Sequence, residues 1–287
     1  MAAPQATTLM RARIVVLAIV AGLVAAAAVL YLRQHATAPA GNAIVSVPPA
    51  AITRLEARMG GRPALVLVRS AHGWRLRHPV RAPAAASRVA LLLAALYEAP
   101  ARSYPASAMS AGAIGLAAPA LTVKVNGETV EYGGLNPVNL LRYLRHGDRI
   151  FLTMDRVLPL LAAGPWQFVD LHPIPRDGDI ATVRFSRGGT REGRKFRNAW
   201  KNVTATRVTP LATASVAATA EIRIRLVGRR QPLVFRVLAR TPELELARPT
   251  LGLVYLFPSR IADRLLPSAP AGTHARTARS RDDPPRT

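Results

Sequence analysis

Cysteine is absent from the 287-residue chain, so disulfide bonds, thiolate metal sites, cysteine nucleophiles and a lipoprotein anchor are all excluded. Aromatic residues are scarce at 5 %, although half of the residues are apolar. Alanine supplies much of that apolar content, and its small side chain buries little area. The composition therefore predicts one or two folded domains with a thin core, and it excludes wholesale disorder.

Acidic residues and lysine are also scarce. Sixteen Asp and Glu stand against 39 Lys and Arg, which gives a net charge of +23, and only three of the basic residues are lysines. A charge of this size ordinarily indicates a polyanionic partner such as nucleic acid or an anionic membrane. The preference for arginine, together with alanine, glycine and proline, is also typical of a GC-rich genome. We therefore do not expect a nucleic-acid partner.

One long uncharged run lies near the N-terminus. Residues 14–32 read IVVLAIVAGLVAAAAVLYL, which as a helix nearly crosses a hydrocarbon core of about 30 Å. Arg11 and Arg13 precede the run, so the positive-inside rule places residues 1–13 in the cytoplasm. We predict a single-pass protein of the cytoplasmic (inner) membrane, with the remaining residues in the periplasm or outside. A signal peptide cleaved near Ala40 is the alternative.

The exported part divides by composition. Residues 33–51 and 268–287 are rich in small and polar residues without apolar periodicity, so we predict a flexible linker and a disordered tail. The region between them predicts an α+β fold of two similar antiparallel-sheet-plus-helix lobes, at residues 52–165 and 166–267. Alternating apolar residues mark the hairpins of the first lobe, and Ser87 is expected to cap its helix.

The second, shorter lobe repeats the plan of the first. Alternating apolar residues precede Gly127 and again Gly228. The last strand of each lobe carries an aromatic-leucine step, at 151–152 and at 255–256, and a helical apolar pattern follows it. Because these echoes come in the same order, they predict an internal duplication. Chance similarity between alternating strands is the alternative.

This alignment carries two structural expectations. Trp74 and Trp200 would occupy equivalent strand positions, each packing on its own lobe. The second copy would lack a counterpart of the helix that begins near Ser87.

Several short motifs of the first lobe occur in the order of a known family. A Trp strand precedes a Gly-Leu-x-x-Pro element, a strand ending in glycine, a Tyr-Gly turn and an Arg-Tyr strand. The residues are Trp74, Gly115, Leu116, Pro119, Gly127, Gly133, Arg142 and Tyr143. Together they resemble the bacterial domain of unknown function 4340. Ala117 stands where that family often has Asp, and Ile114 replaces an aromatic residue. The match covers about residues 52–161 well and the second lobe loosely.

The resemblance implies an extracytoplasmic α+β module that accompanies ABC-type transporters of the gliding-motility kind, and it implies no catalytic residues. From the residues themselves we expect Gly115, Leu116 and Pro119 to be structural. The glycine permits a turn conformation closed to other residues, the leucine fills the core, and the proline keeps the chain extended.

No sequence pattern indicates a reaction. The six histidines lack the i, i+4 spacing with Glu of a helical zinc site, and no nucleophile elbow, phosphate-binding loop or dinucleotide fingerprint is present. We therefore predict no catalytic, cofactor-binding or metal-binding residues and no enzymatic activity. A membrane-tethered hydrolase assembled from distant residues is the rival hypothesis, and a pocket that collects His, Asp or Ser side chains would favour it.

The most distinctive local feature is a run of cations around Phe196 and Trp200. Guanidinium forks match phosphate, so this run could grip lipid head groups or another polyanion of the cell envelope. We call its six cations the basic segment: Arg187, Arg191, Arg194, Lys195, Arg197 and Lys201. The alternative is a solvated hairpin loop at Gly188-Gly189 with one charged strand face.

These expectations combine into one functional hypothesis. The chain is predicted to be a bitopic cell-envelope protein whose exported, non-catalytic module binds or assembles beside an ABC-type transporter. Its partners would be an inner-membrane protein complex and, through the basic segment, an anionic lipid surface. A polyanion-binding protein and the tethered hydrolase are the alternatives.

Overall fold

The computed structural model describes residues 43–60, 64–186, 189–191, 193–212 and 218–267. The predicted membrane helix at 14–32 and the predicted tail at 268–287 lie outside these residues. Among the described residues, no helix is long and apolar enough to cross a membrane. The chain forms two compact units, one ending at Phe168 and the next beginning at Val169.

The first unit is built on one antiparallel sheet of nine strands in the order β4-β3-β2-β1-β6-β7-β8-β9-β5. The strands are β1 (Arg54–Arg58), β2 (Leu65–Ser70), β3 (Gly73–His78), β4 (Ala82–Pro83), β5 (Arg102–Pro105), β6 (Leu121–Val125), β7 (Glu128–Leu135), β8 (Arg142–His146) and β9 (Arg149–Thr153). Helix α1 (Ala86–Leu96) lies between β4 and β5 in the chain, and α2 (Val157–Ala162) follows β9. Short 3-10 turns occur at Pro49–Ala51, Ala106–Ala108 and Pro165–Phe168.

Alternation of apolar and polar residues determines which face of this sheet is buried. Leu55 of β1 and Val123 of β6 are fully buried, while their strand neighbours are more accessible. Helix α1 buries Val89, Leu92 and Leu96, which recur at helical spacing on one side. The hairpins that the alternation predicts are therefore confirmed, as is the apolar face of the helix.

Helix α1 begins earlier than its sequence indicates. Its N-cap residue is Ala85, and no side chain caps the helix. The backbone N–H of Ala85 instead donates to the carbonyl oxygen of Phe168, at 2.8 Å. Ser87 lies inside the first turn, so the predicted Ser87 cap is wrong. A tertiary backbone contact therefore fixes the start of the helix, which has no side-chain cap.

The end of the predicted linker belongs to the first unit. Ile44 and Val45 are buried. The Tyr97 hydroxyl donates to the carbonyl oxygen of Val47, and the Ser46 N–H donates to the Glu128 carboxylate at 2.9 Å. The folded region therefore starts before residue 52, because two apolar residues in an otherwise small-residue stretch are enough to pack against the sheet.

The second unit is built on an antiparallel sheet of seven strands in the order β11-β10-β13-β14-β15-β16-β12. The strands are β10 (Ile180–Phe185), β11 (Gly189–Arg191), β12 (Arg207–Pro210), β13 (Ala220–Leu226), β14 (Leu233–Ala239), β15 (Glu243–Arg248) and β16 (Leu253–Pro258). Helix α3 (Arg194–Asn202) lies between β11 and β12, and α4 (Ala262–Leu265) follows β16. Short 3-10 turns occur at Pro249–Leu251 and Ser259–Ile261.

Trp200 organises the core of this unit. It is fully buried on the inner side of α3, with its ring centroid 5.8 Å from that of Phe235 on β14. Its indole Nε1–H donates to the carbonyl oxygen of Leu265, at 3.0 Å, which satisfies its polar group inside the core. This one side chain therefore joins α3, the sheet and the C-terminal helix.

The two sheets have the same strand order once β3 and β4 are set aside. The order β2-β1-β6-β7-β8-β9-β5 in the first unit corresponds to β11-β10-β13-β14-β15-β16-β12 in the second. The helices also correspond in chain order, α1 to α3 and α2 to α4. The expectation of two antiparallel sheets is thus confirmed, and few helices accompany them.

Corresponding edge strands also share their pairing register. In β5, Arg102 lies opposite Leu152 and Pro105 opposite Arg149; in β12, Arg207 lies opposite Leu256 and Pro210 opposite Leu253. The flanking N–H groups of Ala101 and Thr206 donate to the carbonyls of those same leucines, both at 2.8 Å. The aromatic-leucine steps seen in the sequence therefore occupy corresponding places.

The predicted equivalence of Trp74 and Trp200 is wrong. Trp74 is a half-buried residue of strand β3, whereas Trp200 is a core residue of helix α3. The second unit therefore has a counterpart of α1, contrary to expectation. The sequence RKFRNAWKN hides that counterpart because Phe196 and Trp200, four residues apart, supply its whole bulky apolar side.

We predict an alkaline loss of stability that depends on Tyr97. Burial, aided by the nearby Glu128 carboxylate, raises the pKa of Tyr97 to about 12, whereas an unfolded tyrosine titrates near 10. The contribution is fully present below about pH 10 and is lost as the pH rises through about 12. Denaturant unfolding followed by Trp fluorescence at pH 9, 10 and 11 measures it.

The matched variant is Tyr97→Phe, which cannot ionise. It loses the hydrogen bond to Val47 and should be less stable at neutral pH, but its free energy of unfolding should fall less steeply above pH 10. Equal slopes for the two proteins would contradict this assignment.

Candidate functional site

The eight residues that carry the family resemblance are called the signature residues, and five of them meet where a loop docks on strand β7. Gly115 has φ +71°, and a Cβ built there would lie 2.7 Å from the backbone nitrogen of Gly134. That nitrogen donates to the carbonyl oxygen of Ile114, at 2.8 Å. Only glycine permits this combination of a left-handed conformation and a close backbone approach. The expectation that Gly115 is structural agrees with this geometry.

Gly133 makes room for the next residue of the loop. A Cβ at Gly133 would lie 2.5 Å from the Ile114 carbonyl oxygen and 2.9 Å from Cγ of Leu116. Leu116 is almost fully buried in a small cluster with Ile114 and Ile150, and Tyr143 packs against that cluster. The loop therefore fills the side of the sheet that would otherwise lie open beside β7 to β9.

Arg142 fixes the strand on which the loop docks. It is only 8 % exposed. One guanidinium nitrogen, Nη1, donates to the carbonyl oxygen of Gly133, and Nη2 donates to Asp155 Oδ2 at 2.6 Å. The same side chain thus holds the irregular stretch of β7 and the segment after β9. An arginine is suited to this because its planar fork reaches two acceptors at once.

Two more polar side chains, Thr153 and Tyr132, are buried in the same part of the sheet. Thr153 lies opposite Arg142 in the β8–β9 ladder and is buried, as is Tyr132 on β7. Burial, and next the charge of Asp155, raise the pKa of Tyr132 well above its usual range, so its hydroxyl stays neutral. We call Tyr132, Arg142, Thr153 and Asp155 the Arg142 cluster. Among the described residues, Arg142 Nε, Thr153 Oγ1 and Asp155 Oδ1 are buried without a hydrogen-bond partner.

The second unit has apolar residues at the corresponding positions. With Leu152 matched to Leu256, the ladder partners Arg142 and Thr153 correspond to Leu244 and Phe257. Tyr132, which lies opposite Leu144, corresponds in the same way to Val237, opposite Leu246. All three counterparts are fully buried: Val237, Leu244 and Phe257. The sheet can therefore form without the cluster, and its charge is a special property of the first unit.

Trp74, Gly127 and Pro119 lie away from the docked loop, whereas Tyr143 packs beside it. Trp74 is on β3, and Gly127 occupies the β6–β7 turn with φ +105°. Pro119 precedes β6, as expected for a residue that extends the chain. The Tyr143 hydroxyl accepts a hydrogen bond from Asn136 Nδ2 at 2.9 Å. Gly115, Leu116, Gly133, Arg142 and Tyr143 are thus brought together, and the others act at separate turns and strands.

Four of the six cations of the basic segment lie on a helix, and the hairpin that the alternative placed at the glycine pair is also present, as β10 and β11. Arg194, Lys195, Arg197 and Lys201 lie on α3. Lys201 hydrogen bonds to the Asp179 carboxylate, and this bond together with the lysine charge lowers the pKa of Asp179. Arg187 lies outside the described residues, and so does the side chain of Arg191, whose backbone is in β11. Phe196 packs on Phe185 at 5.9 Å between centroids. The aromatic residues therefore belong to the core and do not accompany the cations at the surface.

A second basic surface, missed by the sequence analysis, lies on the sheet face opposite α3. It consists of exposed arginines on three neighbouring strands, and we call it the arginine face: Arg184 on β10, Arg223 and Arg225 on β13, and Arg236 on β14. The signal was present in the alternation of β13, whose isoleucines identified the strand. The residues that alternate with those isoleucines on the other face are all charged: Glu221, Arg223 and Arg225.

The structure also brings together an acid, a histidine and a hydroxyl. His172 Nδ1 lies 2.9 Å from Asp170 Oδ1, and His172 Nε2 lies 3.2 Å from Thr204 Oγ1. Arg176 Nη2 lies 3.4 Å from the same Nδ1. Asp170 and His172 are partly buried, and Thr204 is exposed. This is the order of groups in an acid-histidine-nucleophile relay, and no sequence spacing indicated it because Thr204 follows 32 residues later.

The described residues hold no group of three His, Cys, Asp or Glu side chains that could bind a metal ion. A cavity of about 30 Å³, enough for one water molecule, is lined by Ala57, Met59, Leu65, Leu121, Leu161, Gly164 and Pro165. Its lining side chains are all apolar, and it lies on the covered side of the first sheet.

No protein-family model, no curated protein and no solved structure matches this chain. The resemblance carried by the signature residues therefore stays a prediction.

The charged interior of the first unit and the apolar interior of the second predict different stabilities for two variants of the Arg142 cluster. Arg142→Leu alone leaves the Asp155 carboxylate buried without its partner and should lower the free energy of unfolding by about 3–5 kcal/mol. Tyr132→Val, Arg142→Leu, Thr153→Phe and Asp155→Ser together install the residues of the second unit, with Ser259 as the counterpart of Asp155. Because well-packed apolar residues commonly replace buried ion pairs without loss, this variant should unfold within about 1 kcal/mol of the natural chain.

Urea unfolding of the full chain in detergent, followed by Trp fluorescence, measures both variants. If the fourfold variant is as unstable as Arg142→Leu, the positions do not correspond as assigned.

Proposed function

We propose that this chain is a membrane-anchored, exported binding and assembly module built by duplication of one sheet-plus-helix unit. The shared strand order and the shared register of the edge strands β5 and β12 support the duplication. A duplicated unit keeps its fold while each copy changes its own side chains. Here the first copy has acquired the buried Arg142 cluster, and the second has acquired the arginine face.

The open sheet faces support a binding role. An antiparallel sheet packs one face on its core and can present the other to a partner. In the first unit the loop of Ile114 to Leu116 covers part of that other face. In the second unit the corresponding face carries exposed guanidinium groups, which bind anions in a geometry that neutral residues cannot provide. These features favour recognition of a partner over catalysis.

The membrane anchor and the partner come from the sequence. The uncharged run at 14–32 would hold the module at the outer side of the cytoplasmic membrane, with the chain's N-terminus inside the cell. The resemblance of the signature residues adds an ABC-type transporter as the inner-membrane complex beside which the module assembles. The Arg142 cluster would then keep the loop-bearing face of the first unit rigid for that contact.

Crosslinking in native membranes tests this assembly role. Proteins that co-purify with the crosslinked chain in mild detergent should include subunits of a membrane transporter. The matched control replaces residues 14–32 by a cleavable signal, and it should recover much less of the same partners because the anchor supplies a high local concentration. Recovery of the anchored chain alone would contradict the proposal.

The relay of Asp170, His172 and Thr204 favours a second candidate, the membrane-tethered hydrolase. In such a mechanism the Thr204 oxygen attacks an ester or amide carbonyl, and His172 Nε2 accepts the hydroxyl proton while Asp170 orients the ring. The proton then passes to the leaving group, and water releases the acyl group. The distances of 2.9 Å and 3.2 Å fit this sequence of contacts.

A fluorophosphonate probe tests the second candidate. A hydrolase of this kind would be labelled at Thr204, as detected by mass spectrometry of the intact chain. His172→Gln would slow labelling at least about 100-fold because the base is lost, and Thr204→Ala would abolish it. Thr206→Ala is the matched control, since Thr206 is exposed on the same loop. No label on the natural chain would eliminate the hydrolase.

A further inference from the structure

The arginine face concentrates positive charge on three adjacent strands. Arg184 lies directly opposite Arg223, and Arg225 lies opposite Thr182. Arg236 lies opposite Glu221 on the next strand pair. Directly opposed side chains have Cβ atoms about 5 Å apart, and same-face neighbours along a strand are about 7 Å apart. Four guanidinium groups therefore share a patch of roughly one to two nanometres.

Acidic residues do not neutralise this patch. Glu221 is the single acid of β10, β13 and β14, and it ion-pairs with Arg223 at 2.7 Å. Within the part of the chain that the structure describes, the side chains of Arg184, Arg225 and Arg236 make no hydrogen bond and no ion pair. Like charges placed directly opposite each other cost a sheet stability, and Arg184 and Arg223 have this placement. An anion bound to the face would remove that repulsion.

The corresponding strands of the first unit are balanced instead. On β1, Arg54 ion-pairs with Glu56 at 2.6 Å, and Glu131 of β7 pairs with Arg145 of β8 at 2.6 Å. Both units come from the same arginine-rich chain, so a general composition bias acts on both. The excess of positive charge on β10, β13 and β14, with four arginines and one acid, is therefore a local property of that face.

An exposed apolar residue, Val227, lies at the end of the arginine face. The Val227 N–H donates to the carbonyl of Asp179 at 2.8 Å, so the alternation of β13 continues and Val227 follows Arg225 on the same side. Val227 is 65 % exposed, and the exposed Arg229 and Arg230 come next in the turn. Apolar side chains set among cations are typical of surfaces that lie on anionic bilayers.

We propose that the arginine face docks on the anionic phospholipid surface of the membrane that holds the anchor. This inference depends on the membrane anchoring in the proposed function and names one partner of that module. Guanidinium forks bind head-group phosphates, Val227 enters the head-group region, and the tether keeps the bilayer at high local concentration. The docking surface is distinct from the basic segment, because α3 lies on the other face of the same sheet.

The absence of cysteine allows a site-specific test. Val227→Cys introduces the single thiol of the chain, which is labelled with an environment-sensitive fluorophore. The full chain is reconstituted in nanodiscs of phosphatidylcholine alone or mixed with phosphatidylglycerol. We expect a blue shift of the probe in the anionic discs only, and we expect high salt to reverse it because it screens the head-group charge.

Charge-neutralising variants identify the residues responsible. Arg184→Gln, Arg225→Gln and Arg236→Gln should each weaken docking about fivefold, and together about 100-fold, since each arginine near an anionic bilayer contributes a similar factor. The matched control removes three exposed cations from strands of the first sheet, by Arg58→Gln, Arg77→Gln and Lys124→Gln. The control should leave the blue shift unchanged.

Three results would overturn the proposal. The first is an equal probe response in neutral and anionic discs, and the second is an equal loss in the two triple variants. The third is a blue shift that soluble polyphosphate produces in neutral discs and that phosphatidylglycerol discs do not produce. That result would assign the face to a soluble polyanion. The discs contain no other protein, so each result is independent of the crosslinking test of the assembly role.

Discussion

The structure depends most on one antiparallel pairing that occurs in each unit, β1 with β6 and β10 with β13. It joins the first hairpin of the unit to the strands that follow the helix and the edge strand. Leu55 pairs with Val125 in β1 and β6, and the Asn126 N–H donates to the carbonyl of Arg54 at 3.0 Å. The Asn126 amide oxygen also accepts from the N–H groups of Thr53 and Arg54. About 70 residues separate these partners, which is the largest separation between paired strands in the described residues, and the connection it closes contains helix α1 and edge strand β5.

The two units share this ladder but carry their arginines on different sides of the sheet. In the first, an arginine enters the interior and holds two parts of the sheet, which the fold tolerates because Asp155 and the carbonyl of Gly133 accept hydrogen bonds from its guanidinium group. In the second, the same interior is apolar, and the arginines lie on the open face. The position of charge, and not the fold, therefore distinguishes what each unit presents to its surroundings.

Local patterns predicted much of the sheets and little of the contacts between distant segments. Alternation of Leu121, Val123 and Val125 before a tight turn identified a hairpin because strand periodicity is a property of neighbouring residues. Helix α3 was not predicted because only Phe196 and Trp200 mark its apolar side, whereas the hairpin that the preceding glycine pair indicates is present as β10 and β11. The burial of Arg142 could not be predicted, since an arginine is normally exposed and its acceptors, at Gly133 and Asp155, are brought near by pairing.

The shared motif of the edge strands limits how this chain can associate. β5 and β12 each end in proline, at corresponding positions beside the last strand of their sheets. Proline has no N–H to donate, so one border of each sheet is poorly suited to accept a further strand from another molecule. At high protein concentration these borders resist edge-to-edge polymerisation. Contacts with other molecules are therefore directed to the flat sides of the sheets, where side chains and not backbone groups determine the partner.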